Sequence, residues 1–444
     1  MSWSKVSEHR WERPADSWEG YFIFTGNLTA SLCEGRQHYT IVSKLKINIA
    51  VVDVVSALKQ AWVQLRYEQP QLATTAEGTK FVYEVPDDVK LQHWVTSTFI
   101  VSSASNADEL YQSAQPVKQA TLYYVPNSSE LMFRAPHYRI DGVGTLLFWH
   151  SYLSALANPT KDIHFGDEPS RLAPMMDEVL GSKPPTQEQT EKAAAILMAW
   201  ASSCPGIGPV SDLGTAPPGQ CQNLEVVFPI KTTEALIKAS KSKGISVTSA
   251  IHAAYVMALV RHANPNSNQS EYVAISQFNL RHYLPEPYST SKYAVSLYYT
   301  PFPFKLNLPS TFWDATHALD KYYKTTFKNN TENLQLREPL TRAIYDLAQS
   351  PEFLASPVPS DALVSSLGVV EQYLHQSYSG TVPVKVEDLK FGVDIVMGMD
   401  MFFIYTFRDQ LRMVYSFNDG FEKPANVQTY LEEMRKVLDE ELLS

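Results

Sequence analysis

Cysteine is scarce in this chain: only Cys33, Cys204 and Cys221 occur in 444 residues. They form no Cys-x-x-Cys pair, and so small and odd a number fits a reducing compartment better than a disulfide framework. Long hydrophobic runs are missing too. No stretch reaches the roughly 18 apolar residues that cross a bilayer, and the polar opening MSWSKVSEHRWERPADSWEG cannot serve as the apolar core of a signal peptide. No membrane span and a cytoplasmic location are therefore expected. Positive charge is in deficit, with a formal net charge of -10 and Lys/Arg in scattered pairs at most. That argues against a nucleic-acid partner held through phosphate contacts. Several catalytic signatures are absent as well. There is no Gly-x-Ser-x-Gly elbow and no phosphate-cradling glycine loop followed by Lys-Ser/Thr. Neither His-x-x-x-His nor His-Glu-x-x-His occurs, so no metal is expected.

What is present is an ordinary globular composition, 44% apolar and 12% aromatic, in a chain long enough for two or three domains. The Trp-rich opening, with Trp3, Trp11 and Trp18, reads as a hydrophobic arm packing onto a core. Residues 38–47 alternate as a strand. Asn48 is placed to cap a helix whose apolar positions Val51, Val55, Leu58, Trp62 and Leu65 follow helical spacing, and Pro70 ends it. Residues 121–125 and 131–135 form a hairpin about the turn Pro126-Asn127-Ser128-Ser129. Residues 158–222 are rich in Pro, Gly and Ser, interrupted by a helical piece over 190–200. Beyond them the element order repeats. A strand over 224–230 precedes a helix over 232–243, capped at Thr232 or Thr233. A buried helix follows, capped at Thr248 or Ser249 and carrying His252 as a core residue, then a strand over 272–278. A strand pair around 393–397 and 401–407, a strand over 411–417 and a helix from Asn426 complete the chain. The expected partition is 1–205, a crossover at 206–222, and 223–444.

The sharpest local signal is His137-Tyr138-Arg139-Ile140-Asp141-Gly142. It follows a short buried strand and precedes a helix in which Leu146, Trp149, Leu153 and Leu156 recur at helical spacing. Asp141 can cap that helix. With 11 histidines, chance predicts about 0.03 occurrences of His-x-x-x-Asp-Gly at average composition. A loop between a buried strand and a helix is a good place for a catalytic group.

This motif resembles the core motif of the chloramphenicol-acetyltransferase-like superfamily, which includes BAHD acyltransferases, peptide-synthetase condensation domains and fungal trichothecene O-acetyltransferases. The opening WERPADSWEGYFIF is similar to the start of the trichothecene group, the nearest overall match. The resemblance implies an α/β (α+β) chain of two domains, each a mixed sheet flanked by helices, meeting at a tunnel. It implies His137 as general base, with Asp141 structural, paired with an Arg and holding the loop in shape together with Gly142. Asn279-Leu280-Arg281 resembles the Asp-x-Arg of BAHD enzymes, with Asn for Asp, and makes Arg281 the candidate partner. Ser365 and Ser366 fall where condensation domains carry Ser-Asn-Leu-Gly, and Ser366 is the candidate oxyanion donor. Two departures narrow the match. Pro136 replaces the first His of the condensation-domain double-His motif, and the BAHD Asp-Phe-Gly-Trp-Gly is absent.

Acyl transfer from a thioester needs only a base for the acceptor proton and a donor for the oxyanion; a neutral imidazole suits the first near pH 7. The expected activity is transfer of an acyl group, acetyl from acetyl-CoA as co-substrate, to a hydroxyl of a hydrophobic secondary metabolite, with no bound cofactor and a monomeric enzyme. Two alternatives stand beside it: an acyl group arriving on a carrier-protein thioester, giving an ester or amide, and reuse of the fold as a cyclase or binding scaffold.

Overall fold

The hairpin that carries the His137 motif lies inside a six-stranded mixed sheet. The computed structural model describes residues 3–263, 268–328, 330–355 and 362–444. The sheet runs Ser377–Tyr378, Val384–Val393, Ile41–Ile49, Glu130–Ala135, Thr121–Val125, Phe99–Val101. Only the last pair is parallel. Hairpin register pairs Thr121 with Arg134 and Val125 with Glu130. Residues Leu131 to Ala135 are all 0% exposed, so both faces of this strand are covered. Helices Val54–Glu68 and Gly142–Ala157 pack against each other. The first buries Leu58, Trp62 and Leu65 completely, with Trp62 stacked on Trp94. Each such aliphatic side chain contributes roughly 1.5–3 kcal/mol relative to exposure.

A second sheet runs Leu363–Val369, Met401–Phe407, Gln410–Asn418, Cys221–Val227, its first pair parallel and the others antiparallel. Helix Val247–His262, buried on most faces, packs with helices Phe312–Thr325 and Pro424–Leu438 around the core of this unit. Among the described residues no single helix is long and apolar enough to cross a membrane.

The chain divides into two compact units, and neither is contiguous. One comprises residues 1–182, 279–299 and 370–393; the other comprises 183–278, 300–369 and 394–444. The expected cuts at 205 and 223 do not follow this division. Residues 183–205 group with the second unit. The stretch 206–222 is docked in that unit rather than strung as a linker: Ile207 N–H donates to Glu271 O, and Val210 N–H to the Tyr430 hydroxyl. Segment 370–393 groups with the first unit because Val384–Val393 enters the sheet beside Ile41–Ile49.

Helix starts also differ from expectation. Asn48 sits in the ladder opposite Lys385, so the cap falls to Asp53, which accepts from Ser56 N–H. Helix Ile230–Ser242 begins after Pro229, leaving Thr232 and Thr233 inside it. Ser246, not Thr248 or Ser249, caps Val247–His262. The strand expected over 393–397 ends at Val393.

His252 is fully buried, as expected, with Nδ1 2.8 Å from the Tyr323 hydroxyl and Nε2 2.7 Å from the Tyr272 hydroxyl. Burial pushes its pKa from 6.5 down to about 3. Between those values the unfolded chain binds a proton that the folded chain refuses. The contribution to stability therefore falls as pH falls through that window, by up to about 1.4 kcal/mol per pH unit. His252→Gln, neutral throughout, should lose stability less steeply from pH 7 to pH 4 in urea titrations. Equal slopes for the two proteins would show that His252 is not held neutral.

Candidate active site

Strand Glu130–Ala135 ends at Pro136, and the chain tightens into a turn over His137–Arg139, closed by Arg139 N–H to Pro136 O at 3.0 Å and Ile140 N–H to His137 O at 3.3 Å. Ile140 is extended and fully buried. Asp141 then caps helix Gly142–Ala157, its Oδ1 accepting from Gly144 N–H at 2.6 Å.

The loop is braced from outside by the 279–299 segment. Arg281 Nη1 donates to both carboxylate oxygens of Asp141, at 2.8 and 2.9 Å, with both residues 3% exposed. Tyr298 N–H donates to Asp141 Oδ2 at 2.8 Å, and Asp141 N–H to Ser296 O at 3.3 Å. Arg281 is itself held by its Nη2 donating to Ser296 Oγ at 3.2 Å. Gly142 is the half-buried first residue of the helix. The close approach occurs at Gly144, where an added methyl would collide with the Ala294 carbonyl oxygen and lie 2.9 Å from Arg281 Nη2. The structure thus brings His137, Asp141, Gly142 and Arg281 together. Ser366 lies in the other unit, its hydroxyl 2.9 Å from Thr248 Oγ1, on a strand whose register shifts between Ser366 and Gly368.

Each carboxylate oxygen of Asp141 accepts two hydrogen bonds, so Asp141 has no oxygen left to orient His137 as the acid of a triad does. The imidazole, 9% exposed, is positioned by rings instead. It stacks on Phe22 with centroids 4.1 Å apart and planes 4° apart, beside Tyr299 at 5.8 Å and Tyr39 at 6.4 Å. Trp18 packs against Phe22 and Tyr299 in turn. Burial pushes the His137 pKa down to about 4, opposed by its own backbone carbonyl and by the Asp141 charge. His38, 3% exposed, is pushed down to about 3 by burial and by the neighbouring His137. Both rings are neutral near pH 7.

Phe22, Tyr39, Tyr299 and His38 were not singled out from the sequence. The Trp-rich opening that contains Phe22 reads, by composition, as plain core packing. The available signal was aromatic density: Trp18, Tyr21, Phe22 and Phe24 fall within one helix, Ser17–Ala30.

The fold is that of a fungal O-acetyltransferase and of condensation domains. The chain superposes on the trichothecene 15-O-acetyltransferase TRI3 of Fusarium sporotrichioides with a TM-score of 0.83 at 16% identity, covering 98% of this chain and 97% of that one. It superposes on the first condensation domain of the calcium-dependent antibiotic synthetase with a TM-score of 0.67 at 14% identity, over 96% of each. No protein-family model matches the chain. Two curated relatives come from Monascus ruber. Acetyltransferase pigO is 26% identical over 456 residues, spanning 100% of this chain and 98% of its own length. O-acetyltransferase pigM is 27% identical over 416 residues, spanning 92% and 81%. A third, named loline biosynthesis cluster 1 transcription factor lolU1 in Epichloe uncinata, is 26% identical over 99% of this chain and 96% of its own length.

Removing Arg281 leaves a buried carboxylate without its cation, so Arg281→Met should cost about 3–5 kcal/mol. Adding Asp141→Asn should restore part of that loss. Denaturant titrations of both single variants and the double variant measure the coupling; additive losses would mean that the two residues do not act as a pair. Gly144→Ala should cost about 1–3 kcal/mol through overpacking.

Proposed function

We propose that this protein is an O-acyltransferase in which His137 is the general base, carrying acetyl from acetyl-CoA to a hydroxyl of a hydrophobic secondary metabolite. The observation that carries the reading is a buried, neutral imidazole on a loop whose carboxylate is fully occupied elsewhere. Such a ring can accept a proton but, among the described residues, has no triad acid behind it, which suits direct attack by the acceptor.

In the proposed reaction the imidazole takes the acceptor proton as the acceptor oxygen attacks the thioester carbonyl. The tetrahedral oxyanion collapses, the carbon–sulfur bond breaks, and the thiolate recovers the proton from the imidazolium. Ester and free thiol are the products, and the enzyme returns to its starting state. Ser366 is our candidate donor to the oxyanion: if Thr248 donates within their hydroxyl pair, the Ser366 proton is left to point at substrate. The small, odd cysteine count suits a cytoplasmic enzyme using a thiol co-substrate.

The transcription-factor name of one relative raises a nucleic-acid reading. The net charge of -10 opposes it, since phosphate contacts demand a basic face. The carrier-protein alternative shares His137 and differs only in donor, so turnover with acetyl-CoA against an acyl-loaded carrier protein separates the two.

His137→Ala should abolish turnover while leaving the fold intact by circular dichroism, with a lowered melting temperature from the cavity left beside Phe22. Substantial residual turnover would remove His137 from the mechanism. The pKa of about 4 places the acid limb of kcat/KM there, with a plateau through neutral pH. Loss of activity centred near 6.5 would mean an ordinary solvated histidine.

A further inference from the structure

Arg139 sits between His137 and Asp141 but points into a different environment from either. It is 5% exposed, and its Nε and Nη2 have no hydrogen-bond partner among the described residues. Its guanidinium lies 4.9 Å from the Phe81 ring centre and 5.1 Å from that of Tyr138, which offsets only part of the cost of burying a charge. The carboxylate nearest in effect is Glu19, and both its oxygens are taken by Arg13, at 2.6 and 2.7 Å. Among the described residues Arg139 thus has no counter-charge of its own, and burial lowers its pKa to about 10, still far above neutral.

Arg139 lines a cavity of about 20 Å³ together with Arg13, Glu19 and Gln71. A site that size admits one small occupant. Its polar lining is unbalanced. The buried atoms without partners are Arg13 Nε, Arg139 Nε, Arg139 Nη2 and both ends of the Gln71 amide, with Gln71 4% exposed. Four are donors and one is an acceptor. A water offers two protons and two lone pairs, which suits a balanced site; a donor-rich site with one surplus positive charge suits an anion.

We infer that the cavity bounded by Arg139, Arg13, Gln71 and Glu19 binds a small monovalent anion, chloride being the physiological member of that class. The anion would neutralise Arg139 and so fix the middle of the motif loop, as Arg281 fixes its end. Arg139 is then a positioning residue. The inference rests on the lining alone and does not require the acyltransfer reading.

The test is thermal unfolding of the full chain in sodium chloride or bromide against sodium gluconate at constant ionic strength. Halide should raise the melting temperature by roughly 2–4 °C, saturably rather than in proportion to salt. Arg139→Met should abolish the halide-specific rise. Gln71→Leu, which keeps both charges, should shift the midpoint of the rise to several-fold higher halide and serves if Arg139→Met does not fold. Bromide-soaked crystals should give an anomalous peak within hydrogen-bond distance of Arg139. Equal melting in halide and gluconate, a rise that survives Arg139→Met, or an ordinary water in place of the bromide peak would each overturn the inference. None of these readouts depends on turnover, so they stand whether or not His137 proves to be the base.

Discussion

The ion pair between Asp141 and Arg281 is the constraint on which the motif loop depends. Burying two charges is expensive, and such a pair holds only when the remaining hydrogen-bonding positions are also filled. Here they are: two backbone N–H groups complete the Asp141 carboxylate, and Ser296 holds Arg281. The result is an over-determined corner. Helix start and the 279–299 segment meet at one side chain, so the loop cannot relax by moving either of them alone.

The same occupancy decides how the imidazole is positioned. In a catalytic triad the acid orients the histidine by a hydrogen bond. With Asp141 committed elsewhere, orientation falls to the ring stack on Phe22 and the flanking tyrosines. Shape is therefore held by charge and orientation by apolar packing, in separate parts of the site. The helix Ser17–Ala30, which supplies Phe22, is held by a capping box at Asp16 and Glu19, and Glu19 also grips Arg13. A change in that helix acts on His137 directly.

Much of this was legible in the sequence because it is local. The hairpin follows from two short, mostly apolar runs around a four-residue turn, and the His-x-x-x-Asp-Gly spacing places a capping acid at the start of a helix. What was not legible is the route of the chain between units. Nothing local in residues 384–393 says that they pair with residues 41–49, more than three hundred positions earlier; that pairing comes from tertiary packing. Arg281 could be named as a partner by its neighbours, yet the expected cut at 223 assigned it to the far domain, whereas it groups with Asp141. Caps failed for a related reason. Asn48 is a good cap by type, but the strand runs through it, and the cap goes to the first suitable residue after the ladder ends. The aromatic arm was visible as composition, and its service to His137 was not, because stacking across 115 positions leaves no periodic trace.

Burial of His137 creates an apparent contradiction, since a pKa of about 4 describes a poor base. Relative to an ordinary histidine, the protonated ring is disfavoured by roughly 3 kcal/mol. In the proposed reaction, however, the imidazolium never forms alone. It appears as the carbonyl oxygen becomes negative, so the two charges arise together within one site. The same low polarity that penalises the isolated cation strengthens its attraction to the oxyanion. Burial then weakens the base toward solvent protons, which keeps it neutral and available, while costing less in the transition state, where its partner charge is present. A site built this way needs the ring held still beside the reacting carbonyl, because attraction in a low-dielectric setting rewards close, fixed geometry and little else. Rigid packing on Phe22 and a loop locked by Asp141 and Arg281 meet that requirement.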